Sequence, residues 1–326
     1  MSTLSRSIAV DSGSNLNDKK NRSFTAGRYS RFFMKMIGYF PLILFLLEGC
    51  VSGKINSRSP DSNKENALLW EISGKGISSP SYIFGTIHMI CPEDFIISDT
   101  VRKIFSSTEK LYLELDMDDP MMTVKSMKLS LKTDGSLKDM MEKEDYERLE
   151  KFMKDSIGLP TLLMNRMKPF ALMSLIYDRI LPCKKKESYE LSFLEMAQKE
   201  KKEVLGLERI EDQFDVFDKI PDSSEIRMIM NMVDDLESQK REFEEMVSLY
   251  KKKDLSSLAL LINKSTSQSD YEDILIYNRN RNWVPVMEKA MSDHSVFFAV
   301  GAGHLPGENG VIRLLRKAGY TVRPVE

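Results

Sequence analysis

Histidine and cysteine are scarce in this chain, three of each among 326 residues. No His-Glu-x-x-His pair occurs, which excludes an ordinary helix-borne zinc protease site. No Cys-x-x-Cys-His occurs, which excludes covalent c-type haem attachment. Cys50, Cys91 and Cys183 lack any paired spacing, so the sequence gives no sign of a thiolate metal site. The formal net charge is only −2, which gives no electrostatic reason to expect a nucleic-acid partner. No internal repeat of solenoid period is visible. Methionine, by contrast, is plentiful at 21 residues and reads as filler for irregular gaps in a core. With 42% hydrophobic residues the chain can bury a substantial core, as one large domain or two small ones.

Residues 1–50 read as an export segment. The run from Met36 to Leu47 is apolar but shorter than the ~20 residues of a membrane-spanning helix, and it suits the apolar core of a secretory signal. It ends in Leu47-Glu48-Gly49-Cys50, which resembles a bacterial lipobox with Cys50 as the lipidated cysteine; Glu48 departs from that pattern. Translation starting at Met34 or Met36 would give a signal of normal length, and an uncleaved anchoring helix is the alternative. Residues 51–66 are rich in Ser, Asn, Lys and Asp and read as a flexible tether. An exported, membrane-anchored protein facing the periplasm or the cell surface is therefore expected. In such a compartment Cys91 and Cys183 can form a disulfide, or remain as two free buried thiols.

From residue 67 to 326 a single domain is expected. Strands are predicted at Leu68–Ile72, Ser81–Ile87, Lys110–Asp116, Glu203–Gly206, Ser295–Val300 and Tyr320–Val325. Helical spacing fills most of the stretch from Asp119 to Lys202, then Ser223–Lys253 as one helix or two, Leu255–Asn263, Glu272–Met291 and Val311–Ala318. Pro285 marks a kink or boundary. Strands thus cluster at both ends with a helical middle, which predicts an α/β (α+β-like) protein with one mixed sheet assembled from N- and C-terminal pieces.

Two strands run into the same short pattern, Gly85-Thr-Ile-His88 and Gly301-Ala-Gly-His304. Glycine lets other groups approach the backbone closely, and a strand end presents the imidazole at the rim of a sheet, where α/β proteins bind ligands. Imidazole there can act as a metal ligand or a base; two structural histidines capping strand ends fit the spacing equally well. His294 reads as a solvated loop residue. Glu114 and Asp116 share the polar face of their strand, and Glu208 follows another strand. Each is a candidate ligand or general base, although a solvated surface carboxylate would read the same.

Taken together, Leu69-Trp70, Tyr82–His88, Leu113-Glu-Leu-Asp116, Gly206-Leu-Glu208, Arg281-Asn-Trp283, Ala299–Gly307 and Leu314–Val322 resemble the TraB/GumN family across residues 67–325. The stretch from Ser188-Tyr-Glu190 to Gln213 fits too. That family is similar to the animal Tiki metalloproteases, which clip secreted signals, and is related in fold to erythromycin esterases and to haem-binding lipoproteins. The resemblance implies one site lined by His88, His304 and Glu114. It implies that the family's arginine-asparagine pair falls on Arg281 and Asn282, with Glu208, Gly85 and Gly301 against the substrate. It further implies a metal-dependent hydrolase, a peptidase by preference, with Mn²⁺, Co²⁺ or Zn²⁺ on His88, His304 and Glu114 and a peptide or protein as substrate. Metal-free esterase chemistry, with His88 activating water and Glu114 orienting the imidazole, is one alternative; peptide or haem binding without turnover is another.

Overall fold

The computed structural model describes residues 66–266 and 271–325. The export segment with Cys50, and all of the tether except Asn66, lie outside the described residues. Chain order is β1 (Leu69–Ser73), β2 (Ser81–Thr86), α1 (Asp99–Ser107) and β3 (Lys110–Leu115), followed by a long helical insertion. That insertion holds α2 (Met122–Leu129), α3 (Lys143–Phe152), α4 (Thr161–Met164), α5 (Pro169–Ile180) and α6 (Tyr189–Glu200). Then come β4 (Glu203–Glu208), α7 (Ile210–Phe217), α8 (Asp222–Asp234), α9 (Leu236–Lys251), α10 (Leu255–Thr266) and α11 (Asn278–Asp293). The fold closes with β5 (Val296–Gly301), α12 (Val311–Lys317) and β6 (Thr321–Pro324).

The result is a mixed α/β fold on one six-stranded sheet, ordered β4-β3-β5-β2-β1-β6. The strands β4, β3, β5 and β2 are parallel neighbours, whereas β1 is antiparallel to β2 and β6. Both chain ends contribute to the sheet, as the clustering of strand patterns predicts, and β4 joins from the middle. β5 sits at the centre, and all six of its residues are buried, which explains why Val296-Phe-Phe-Ala-Val300 is continuously apolar rather than alternating. Phe105 of α1 and Phe193 of α6 pack on Phe297 of β5 with ring centroids 5.2 and 5.0 Å away. These aromatic contacts press α1 and α6 onto one face of the sheet.

Pro285 is not a boundary: α11 runs through it to Asp293. Its ring lies on the exposed face of the helix, where water can satisfy the carbonyl left without a donor. The Ser223–Lys253 stretch is two helices. The break falls at Asp235, whose side chain accepts from the Ser238 N–H to cap α9. Among the described residues no helix is long and apolar enough to cross a membrane.

Candidate functional site

The four parallel strands deliver their carboxyl ends to one rim. In register, Thr86 of β2 lies beside Gly301 of β5, Leu113 of β3 beside Ala299 of β5, and Leu115 of β3 beside Glu208 of β4. His88 follows β2, His304 lies in the one-turn 3₁₀ segment after β5, Glu114 is the penultimate residue of β3, and Glu208 ends β4. Parallel pairing thus gathers four sequence candidates from distant parts of the chain.

Glu114 and both histidines are buried, with His304 at 0% exposure. Glu114 accepts the Gly301 backbone N–H at Oε1 (2.9 Å), which ties β3 to the end of β5. Its Oε2 accepts from Arg279 Nη2 at 2.6 Å and from Gln213 Nε2 at 3.3 Å. Glu208 accepts from the Arg279 guanidinium, from Gln213 Nε2 at 2.8 Å and from the Trp283 indole at 3.0 Å. One guanidinium therefore bridges two carboxylates at the ends of adjacent strands, and it also lies over the Trp283 ring.

The arginine and asparagine that reach this centre are Arg279 and Asn280, one pair earlier than expected. Arg279 and Asn280 are buried, whereas Arg281 and Asn282 are exposed; Arg281 pairs locally with Asn278. Helix geometry decides this. Arg279 and Trp283 are four apart on the face turned to the sheet, and Arg281 lies on the opposite side.

Asn280 sets the state of His304. Its Nδ2 donates to the His304 and Asn309 carbonyls, at 3.3 and 2.9 Å, which directs its Oδ1 at His304 Nδ1. The amide orientation assigns the Nδ1–H tautomer, so Nε2 carries the lone pair and faces Arg279 Nη1 at 3.4 Å. Burial, then the charges of Arg279 and His88, hold His304 well below the ordinary histidine value. It is a neutral imidazole.

His88 is the opposite case. Its Nδ1 lies 2.8 Å from Glu190 Oε1, and that carboxylate also accepts from Thr86 and Ser188. Burial disfavours a charged ring, but the Glu190 charge and hydrogen bond outweigh it and hold His88 above its ordinary value. For Glu190, burial pushes upward, and the charge and bond of His88 reverse the direction. His88 also feels Glu114 and Arg279, so the two histidines belong to one electrostatic unit.

Gly85 explains part of the glycine-histidine pattern. A Cβ there would meet Leu305 Cδ1 at 2.8 Å and Ala302 Cα at 3.1 Å, because the turn carrying His304 packs on β2 at that point. The Gly85 carbonyl accepts from Tyr250 OH at 2.9 Å. Gly301 and Glu208 are joined through Glu114, Gln213 and Arg279. Asp116 lies just beyond β3, with burial and Asp118 pushing its pKa up to about 6. His294 is outside the centre, paired with Glu109 at 2.9 Å. Cys91 and Cys183 are bonded to each other.

Among the described residues no three His, Cys, Asp or Glu side chains are grouped to hold a metal ion. The expected set of His88, His304 and Glu114 does not fit one in this arrangement. The place a cation would take between Glu114, Glu208 and His304 Nε2 is held by the Arg279 guanidinium. His88 Nδ1 and His304 Nδ1 are both engaged by oxygen partners, so any shared chemistry falls to the Nε2 atoms.

Residues 68–324 match the TraB/PrgY/gumN family. The chain is 24% identical to metalloprotease TIKI2 of Danio rerio, over 81% of this chain and 62% of that protein. It is 24% identical to metalloprotease TIKI1 of Homo sapiens, over 81% and 63%. A metalloprotease TIKI homolog of Amphimedon queenslandica is 24% identical over 89% and 68%. The chain thus spans a little under two thirds of the length of the first two relatives. No solved structure matches.

Proposed function

The chain belongs to the TraB/PrgY/gumN family, and from that membership we propose that it hydrolyses peptide or protein chains at the centre shared by His88 and His304. The observation that carries this reading is the meeting of both Gly-x-x-His imidazoles at one sheet rim, around a buried Arg279–Glu114 pair. Desolvating charges is costly, and apolar side chains of similar volume are often no less stable. Fixed charges in a dry site serve a reaction in which charge develops. The substrate class follows from the relatives, which are named metalloproteases.

In this reading the acting form of His88 is the uncharged ring, populated as pH rises through its raised pKa, and its Nε2, the nitrogen turned away from Glu190, takes the proton of the attacking water. Glu190 balances the imidazolium that forms. Arg279, backed by Glu114 and Glu208, faces the same space as the neutral His304 and stabilises negative charge on the carbonyl oxygen. Arg279 already brings to this place the positive charge that a metal ion would supply.

The test is incubation of the purified full chain with a peptide library, with new termini read by mass spectrometry. Cleavage is expected from the wild type, reduced at least ~100-fold in His88→Ala and strongly reduced in His304→Ala. Equal cleavage in all three proteins overturns the proposal. Export and tethering through Cys50 belong to the same proposal, supported by the apolar run Met36–Leu47 and the lipobox-like end. Cys50→Ser is expected to leave the membrane fraction; unchanged membrane association contradicts it.

A further inference from the structure

Glu190 touches His88, yet the two belong to segments about a hundred residues apart in sequence. Three features join those segments side by side. The Thr86 hydroxyl, two residues before His88, reaches Glu190. Ile90 and Glu187 exchange both backbone hydrogen bonds as an isolated antiparallel bridge, at 3.0 and 2.9 Å. One residue beyond that bridge, Cys91 is bonded to Cys183. On the other side, Ser188 caps the first turn of α6 and also holds Glu190 Oε2.

We propose that Glu190 is the positioning residue for His88, and that the Cys91–Cys183 bond keeps the pair engaged, so that thiol exchange at this bond loosens His88. The inference rests on the reading of His88 as the acting imidazole. Two backbone hydrogen bonds alone make a bridge that opens easily, because local opening costs little where few contacts resist it. A covalent link, one residue from Ile90 and four from Glu187, confines both segments and suppresses that opening.

A thiol reaches the bond from the Cys183 side, because Cys91 is itself buried. Cys91 lines a cavity of about 420 Å³ with Asp94, Pro182, Phe243, Lys251 and Lys252 among its walls, and Cys183 is partly exposed. With a dithiol as reductant the step balances. One thiolate attacks a sulfur of the bond, the second closes the dithiol to its own cyclic disulfide, and both cysteines leave as thiols after taking up the two protons.

His304 supplies an internal control, because its Nδ1–H is held by Asn280 within a separate hydrogen-bond set. The experiment is nitrogen-15 and proton NMR of the ring N–H groups in the full chain. The wild type is expected to show two slowly exchanging, deshielded Nδ1–H signals. In Cys91→Ser/Cys183→Ser, and in wild type treated with dithiothreitol, the His88 signal is expected to exchange about tenfold faster or more, with the His304 signal unchanged. Glu190→Ala should abolish the His88 signal, and Glu190→Asp should restore it in part. An unchanged His88 signal after loss of the disulfide overturns the inference, as does equal loosening of both histidines. These signals do not depend on turnover, so failure here is distinct from failure to cleave peptides.

Discussion

Arg279 and Glu114 form a buried ion pair, Nη2 to Oε2, at 2.6 Å, with both side chains almost wholly removed from water. The same guanidinium holds Glu208. Truncation to Arg279→Ala leaves two carboxylates desolvated without a cation, and breaking a buried pair in this way costs about 3–5 kcal/mol. Arg281→Ala, two residues away on the exposed face, is expected to stay within about 0.5 kcal/mol of wild type. Urea unfolding of the two variants checks the contrast; equal losses contradict it.

Competition between the guanidinium and a metal ion has its own readout. Mn²⁺ titrated into the wild type, followed by electron paramagnetic resonance, is expected to show no stoichiometric site while Arg279 stays in place. Arg279→Ala, with Glu114, Glu208 and His304 Nε2 released, is expected to take up one ion. Stoichiometric uptake by the wild type that is lost in His88→Ala contradicts this account of the site.

Gly85→Ala forces a methyl against Leu305 and the Ala302 backbone, which carry the turn that presents His304. Overpacking of this kind costs about 1–3 kcal/mol. The variant should unfold at lower urea concentration and show a displaced His304 ring signal. A wild-type midpoint together with an unmoved ring contradicts the close-approach explanation for the glycine.

Glu225, buried in the first turn of α8, has its carboxyl pushed up to about 8 by burial and by Asp222 and Asp218. Its unfolded value is about 4.3. Between those values the native state binds more protons than the unfolded chain, so this group makes stability fall as pH rises from about 4.3 to about 8. Glu225→Gln removes the dependence and should be more stable than wild type at pH 8, by about 1–3 kcal/mol. Urea midpoints at pH 5 and pH 8 test the sign; a wild type that gains over the variant as pH rises contradicts it.

Much of this arrangement is legible in the sequence because strands announce themselves by apolar runs. Val296–Val300 and Tyr82–Phe84 read directly as strands, and the glycine-histidine pattern after each one is visible by eye. Parallel pairing then does the rest, since neighbouring parallel strands end at the same rim. The arginine is harder, because Asn278-Arg-Asn-Arg-Asn282 reads the same in two registers. The signal that separates them is Trp283, whose position four residues after Arg279 marks the buried face of α11. Glu190 was hidden for another reason: behind Ser188 it reads as an ordinary first-turn acid of a capped helix. The long-range pairing of its segment with that of His88, through Thr86, the Ile90–Glu187 bridge and the disulfide, turns it onto His88, and such pairing leaves no periodic trace. Gln213 closes the stretch that resembles the family, but its reach to Glu114 depends on β3 and β4 being neighbours.

The claim that His88 and His304 act as one centre is tested most directly by a double-mutant cycle on peptide hydrolysis. The measured quantity is kcat/KM for the wild type, His88→Ala, His304→Ala and the double variant, on one substrate taken from the library. Residues that work as a unit are strongly non-additive, so the double variant is expected to be no slower than the slower single variant. Losses that multiply, or a single variant with wild-type kcat/KM, would contradict a shared centre.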